Sequence, residues 1–189
     1  MSTTRELFGG ALSCAIPEGF VDVSTFRQVP DNQEVFANAQ TDQCVIVELL
    51  QYEGAVCDAD SARFFFNEIA SSNGCSPEDA AVLHEELLSA QDGPAITVEH
   101  TNSIAVGDQR VVKFKEGDSA KNVVRVYLGN IRLPNVATDV VISISVPLQI
   151  NPASSSAGSF QFENSAEVGA EIFKQVVKSF AVHDWSLFG

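Results

Sequence analysis

The 189-residue chain predicts an α+β fold, a mostly antiparallel sheet lying between helices. Strand-like segments dominate residues 95–147, an amphipathic stripe at 58–72 precedes them, and a second at about 164–180 follows. Neither an internal repeat nor a dividing linker interrupts the pattern, so a single domain over 1–189 is expected.

The elements follow in order. Leu7-Phe8 runs into Gly9-Gly10, and Ala11–Ile16 alternates as a strand before Pro17-Glu18-Gly19 turns the chain. Asp22–Arg27 carries short polar residues that cap a brief helical turn. Pro30-Asp31-Asn32 is a turn, because proline fixes φ while Asp and Asn bond nearby backbone. Glu34–Ala37 resumes as a strand. In CVIVELLQY, residues 44–52, Val45, Val47 and Leu49 share one face and Ile46, Glu48 and Leu50 the other. Both faces are apolar, which predicts a central strand covered on each side. At 58–72, Ala62, Phe65, Phe66 and Ile69 fall on one helical stripe that stops at Asn73-Gly74. A second short helix is expected from Ser76, with Pro77 at its first position and Glu78-Asp79 near its positive end.

The strand meander then has expected turns at Val106–Gln109 and Glu116–Ser119. Val123–Leu133 and Asp139–Val146 are long strands; in the second, Val140, Ile142, Ile144 and Val146 oppose Val141, Ser143 and Ser145. Asn151–Gly158 reads as a Ser/Ala loop. In the final helix Val168, Ile172, Val176 and Phe180 form one row, with Gly169, Phe173 and Val177 beside it. The tail HDWSLFG is expected to tuck back onto the body.

Charge is distributed unevenly. The net charge is −14, and residues 1–100 hold 17 acidic side chains against Arg5, Arg27 and Arg63, whereas 101–189 hold eight of each sign. An acidic surface repels nucleic acid and anionic membranes and speeds encounter with a basic partner. It also serves plain solubility. Cys14, Cys44, Cys57 and Cys75 lack the close spacing of zinc or redox pairs, so free thiols in a reducing, cytosolic or nuclear setting are expected. No signal-peptide pattern and no membrane-length apolar run are visible. A phosphate-binding Gly-Lys loop, a zinc-protease His pair and a Gly-x-Ser-x-Gly elbow are all missing from the sequence. His84, His100 and His183 are scattered. The expectation is therefore no enzyme, no metal and no cofactor.

Residues 20–36, FVDVSTFRQVPDNQEVF, concentrate Asp22, Asp31 and Glu34, with Asn32 and Gln33, on turns and strand ends. Such carboxylates either cap local backbone or meet a partner's Lys and Arg. Glu48, between Ile46 and Leu50, costs several kcal/mol if buried without a partner. It must sit at an exposed end of the sheet or pair with a base such as Arg27 or Arg125.

At these residues the chain resembles the Ran guanine nucleotide release factors. The resemblance rests on LFGGA at 7–11, on residues 20–36, on IVELL at 46–50, on IRLPNVATDVVISISVP at 131–147 and on the terminal SLFG. It implies about six mainly antiparallel strands between helices, a fold shared with the PsbP protein. It implies a monomer of nucleus and cytoplasm that binds the GTPase Ran, alongside other Ran-binding proteins, and promotes nucleotide release. Its acidic Ran-facing surface falls on Asp22, Asp31, Glu34 and Glu48, supported by Arg27, Pro30, Asn32 and Gln33. Some members carry another acid where this chain has Gln51. Residues 53–120 carry little of the resemblance and are expected to contribute mainly fold. Two other readings stay open: a scaffold of the same fold whose main partner is not a GTPase, and a hydrolase built on a carboxylate pair.

Overall fold

The computed structural model describes residues 2–112, 118–155, 157 and 164–189. In chain order the elements are β1 (Ser2–Leu7), β2 (Leu12–Pro17), β3 (Val21–Asp22), β4 (Gln33–Asn38), β5 (Gln43–Gln51), α1 (Ser61–Ser72), β6 (Ala80–Leu87), β7 (Thr101–Val111), β8 (Asn122–Leu133), β9 (Thr138–Gln149), α2 (Ala166–Ser179) and β10 (Ala181–Val182). The main sheet has the order β3-β4-β5-β9-β8-β7-β6, and a small one has the order β1-β2-β10. All the pairings are antiparallel. The α+β class is as expected, and among the described residues the main sheet has seven strands, where about six were expected.

One added strand is β6, where continuation as a helix was expected. The Ser76 amide and hydroxyl both donate to Asp79 Oδ2, at 3.3 and 2.5 Å, and the Asp79 amide returns to the Ser76 carbonyl at 2.9 Å. That closes one turn on itself. Lys121 holds the same carboxylate at 2.9 Å, and the Arg110 amide bonds the Asp79 carbonyl at 2.7 Å, so the next residues enter the sheet beside β7. The turn expected at 106–109 is also absent, because β7 runs through it. Gly107 faces α1 there. A Cβ on it would stand 2.6 Å from Phe66 Cζ and 2.4 Å from the Ala81 carbonyl oxygen, so glycine marks a close approach rather than a turn. The turn expected at 116–119 falls largely outside the described residues, as does part of the 151–158 loop.

The sheet has two differently covered faces. On one, Val45, Val47, Val140, Ile142, Ile144 and Val146 pack with the small sheet and with Phe173, Val176, Val177 and Phe180 of α2. Ser165 caps α2, its Oγ accepting from the Val168 amide at 3.2 Å. Val168 itself is exposed, so the apolar face is rotated toward the Gly169 and Phe173 row. On the opposite face, Ala62, Phe65 and Phe66 of α1 pack on Ala105, Val126, Leu128 and Val141. This helix touches β6, β7 and β8, and toward β4 and β5 on the same face Val35 and Ser143 are also buried. The double cover expected of β5 is partial, since Ile46, Glu48 and Leu50 are half-buried. The tail does return: the His183 amide bonds the Ala11 carbonyl at 2.8 Å, and Trp185, Leu187 and Phe188 pack on the main core.

Candidate functional site

The ten residues between β3 and β4 form a pinned connection. Asp22 caps its first turn, Oδ1 accepting from the Ser24 amide at 2.8 Å, and the Phe26 and Arg27 amides both reach the Val23 carbonyl at 3.1 Å. At the far end the Pro30 carbonyl accepts from the Gln33 amide at 2.9 Å. Asn32 staples the connection to β5: its carbonyl accepts from the Leu49 amide at 2.9 Å, and its side-chain amide donates to the Leu49 carbonyl at 3.1 Å. Asp31, between Pro30 and Asn32, is exposed, as is Arg27.

Glu48 is half-buried and carries no basic partner among the described residues. Its Oε1 accepts from Gln33 Nε2 at 2.7 Å and Asn32 Nδ2 at 3.4 Å. Of the two arrangements open to it, a place near the end of the sheet or a pair with Arg27 or Arg125, the pair is not made; Arg125 instead binds Asp108, Nε to Oδ1 at 2.5 Å. Two amides orient the carboxylate while leaving its charge unneutralised, which suits a group presented to an external cation.

Glu34 has a different role. It accepts from the Phe8 amide at 2.6 Å, where Phe8, Gly9 and Gly10 all take left-handed backbone, with φ of 50°, 67° and 92°. The carboxylate thus fixes the β1–β2 loop against the main sheet. It also lies near Cys14, whose thiol is pushed up to about 12, chiefly by burial and secondarily by this negative charge.

The register separates the acids further. Gln33 pairs with Glu48, and Glu48 with Val141 on the α1 face, whereas Glu34 pairs with Val47 and Asp22 with Phe36 on the α2 face. Glu34 and Glu48 therefore project to opposite faces, on neighbouring rungs of one end of the sheet. Asp22 lies two residues farther from that end. The four predicted acids are not one flat patch: Asp31 precedes β4, and Glu34 and Glu48 lie on opposite faces near the same end of the sheet.

That end of the sheet also receives acids from a stretch expected to contribute mainly fold. β5 delivers residues 52–60 to the same end, with Asp58 and Asp60 exposed and Glu53 half-buried. A buried ion pair holds this segment. Arg132 and Asp139, 1% and 0% exposed, face each other across the β8–β9 hairpin, Nε to Oδ1 at 3.2 Å. Arg132 also donates to the Val56 carbonyl at 2.7 Å, Asp58 Oδ1 at 2.9 Å and the Glu53 carbonyl at 2.6 Å, and covers the Tyr52 ring at 4.2 Å. Asp139 Oδ2 accepts from the Glu53 amide at 2.8 Å. An available signal was the opposite charges flanking the short connection RLPNVATD.

Among the described residues no group of three or more His, Cys, Asp or Glu is arranged to hold a metal, and no helix is long and apolar enough to cross a membrane.

Comparison with known proteins places these features in context. Residues 5–147 match the family described as Ran-interacting Mog1 protein. The Ran guanine nucleotide release factor of Danio rerio is 38% identical over 98% of this chain and all of its own. Nuclear import protein MOG1 of Saccharomyces cerevisiae is 32% identical over 97% of this chain and 83% of its own. The crystal structure of the Saccharomyces cerevisiae Ran-binding protein Mog1p superposes with a TM-score of 0.75 at 27% identity, covering all of this chain and 99% of that one.

Proposed function

This chain belongs to the family of Ran-interacting Mog1 proteins, and from that premise we propose that it binds the GTPase Ran and promotes release of its guanine nucleotide, in support of nuclear protein import. One observation supports the location of the site above the rest. Antiparallel strand polarity delivers the 23–32 connection and the 52–60 segment to one end of the sheet, where Glu48 is oriented by Asn32 and Gln33 with no basic partner among the described residues. Asp31, Glu34 and Glu48 form the contact rim, with Asp22, Arg27 and Pro30 shaping the connection that carries it.

The chemistry follows from how a GTPase retains its ligand. Lys, Ser/Thr and Mg2+ hold the phosphates, so a protein that engages those groups or stabilises the nucleotide-free arrangement competes with the nucleotide. Linkage requires that preference for nucleotide-free Ran weaken nucleotide affinity by the same factor. No covalent step is involved, and the protein acts as a regulator rather than a catalyst of bond chemistry. We take the working unit to be a monomeric single domain over 1–189, present in nucleus and cytoplasm.

The test is release of a fluorescent guanine nucleotide from purified Ran. Addition of the protein accelerates it in proportion to concentration until the complex saturates. Tight binding that leaves the release rate at its intrinsic value would instead mark a scaffold that ignores nucleotide state.

A further inference from the structure

Five large apolar side chains are at least half exposed among the described residues: Val21, Phe26, Leu83, Leu87 and Val168. Phe26 is the most exposed of them at 66%, and the sole aromatic. It sits in the connection that carries Asp31, at the edge of the sheet opposite β6, which bears Leu83 and Leu87. Its exposure is not that of a loose loop. The Phe26 amide is bonded to the Val23 carbonyl, Asp22 caps the turn before it, and Asn32 clips the connection to β5. The ring is held outward by a backbone already ordered.

An apolar ring left in water has no benefit to this fold, and an ordered aromatic on the same connection as the exposed Asp31 is the kind of side chain that binding hot spots favour. We infer that Phe26 is the apolar anchor of the Ran interface, seating in a cleft of Ran rimmed by Lys or Arg side chains. The inference rests on the Ran-binding reading and adds a second kind of contact to it. The acids steer and orient a basic partner, and their effect falls with ionic strength; burial of the ring slows dissociation and is nearly indifferent to salt. Preorganisation keeps the entropy of ordering this side chain small.

The experiment measures Ran binding and nucleotide release for Phe26→Ala, Phe26→Leu, Glu48→Gln and Leu83→Ala, each at low and high salt. Expected for Phe26→Ala is an affinity loss of about tenfold or more, carried mainly by faster dissociation and equal at both salt concentrations. Phe26→Leu recovers most of it. Glu48→Gln loses affinity chiefly at low salt, and Leu83→Ala, on the far edge, matches wild type. Because Phe26 is exposed, its variants keep the wild-type melting temperature. Wild-type affinity in Phe26→Ala, with Glu48→Gln impaired, overturns the anchor and leaves the acidic interface standing. Failure of the wild-type protein to bind Ran removes the underlying reading as well.

Discussion

Three carboxylates in this chain show how one side-chain type is put to unlike uses by its surroundings. Glu48 accepts from two uncharged amides, so Glu48→Lys is expected to end nucleotide release while leaving the denaturation midpoint unchanged. Glu34 accepts from the Phe8 amide, so its loss acts on stability too. Glu34→Gln retains an oxygen acceptor, whereas Glu34→Ala leaves that amide unsatisfied and is expected to cost about 1–3 kcal/mol in urea titration. Asp79 is paired within the fold: the Lys121 ammonium, then the Ser76 hydroxyl, lower its carboxyl to about 2. Its folded value lies below the roughly 3.9 of an unfolded aspartate, so its contribution is present above pH about 4 and is lost as pH falls through about 2. Lys121→Met should raise the Asp79 titration seen by NMR toward the ordinary range; an unmoved midpoint would contradict the assigned cause. These distinctions were only partly legible beforehand. The VPDNQEV block marked the acids, but a sequence does not show that adjacent rungs send Glu34 and Glu48 to opposite faces until the β4–β5 register is fixed.

Where whole elements were misread, a local signal was overruled by a tertiary contact. Val106-Gly107-Asp108-Gln109 carries turn chemistry, yet β7 is continuous because Gly107 lets the Phe66 ring and the β6 backbone come close. Gly107→Ala is therefore expected to destabilise by about 1–3 kcal/mol, read from the urea midpoint, by driving α1 off the sheet. Ser76-Pro77-Glu78-Asp79 carries helix-start chemistry but closes on itself, because Lys121 and Arg110 draw it to the sheet. By contrast α1, β5, β8 and β9 were legible from periodicity, since their apolar rows face continuous cores. The 52–60 segment was opaque for a further reason: it has no periodicity, and its shape is set by Arg132 and Asp139 from a hairpin some 75 residues later. Removing Asp139 takes the buried carboxylate from Arg132, leaving it only the exposed Asp58, and strips the Glu53 amide and the Asn130 side-chain amide of their acceptor. Asp139→Ala should cost about 3–5 kcal/mol, and wild-type stability in that variant would refute the assignment.

At the scale of the whole molecule, the architecture and the charge asymmetry serve one end. The sheet packs on α2 and the small sheet on one face and on α1 along β6, β7 and β8 on the other, and the 23–32 connection and the 52–60 segment gather at the β4–β5 end. The acid-rich first hundred residues supply the strands that reach it. The fold class was readable from periodicity, and the excess of acid in the first half from composition; the placement of the rim required strand order. Association with Ran is expected to slow as salt is raised, with dissociation little changed. The most direct test is fluorescent-nucleotide release from Ran by Glu48→Lys beside the wild-type protein, with thermal unfolding of both recorded. Expected is release at the intrinsic rate of Ran from a variant that melts as wild type does; undiminished acceleration by that variant would show that the Glu48 end of the sheet is not where Ran is engaged.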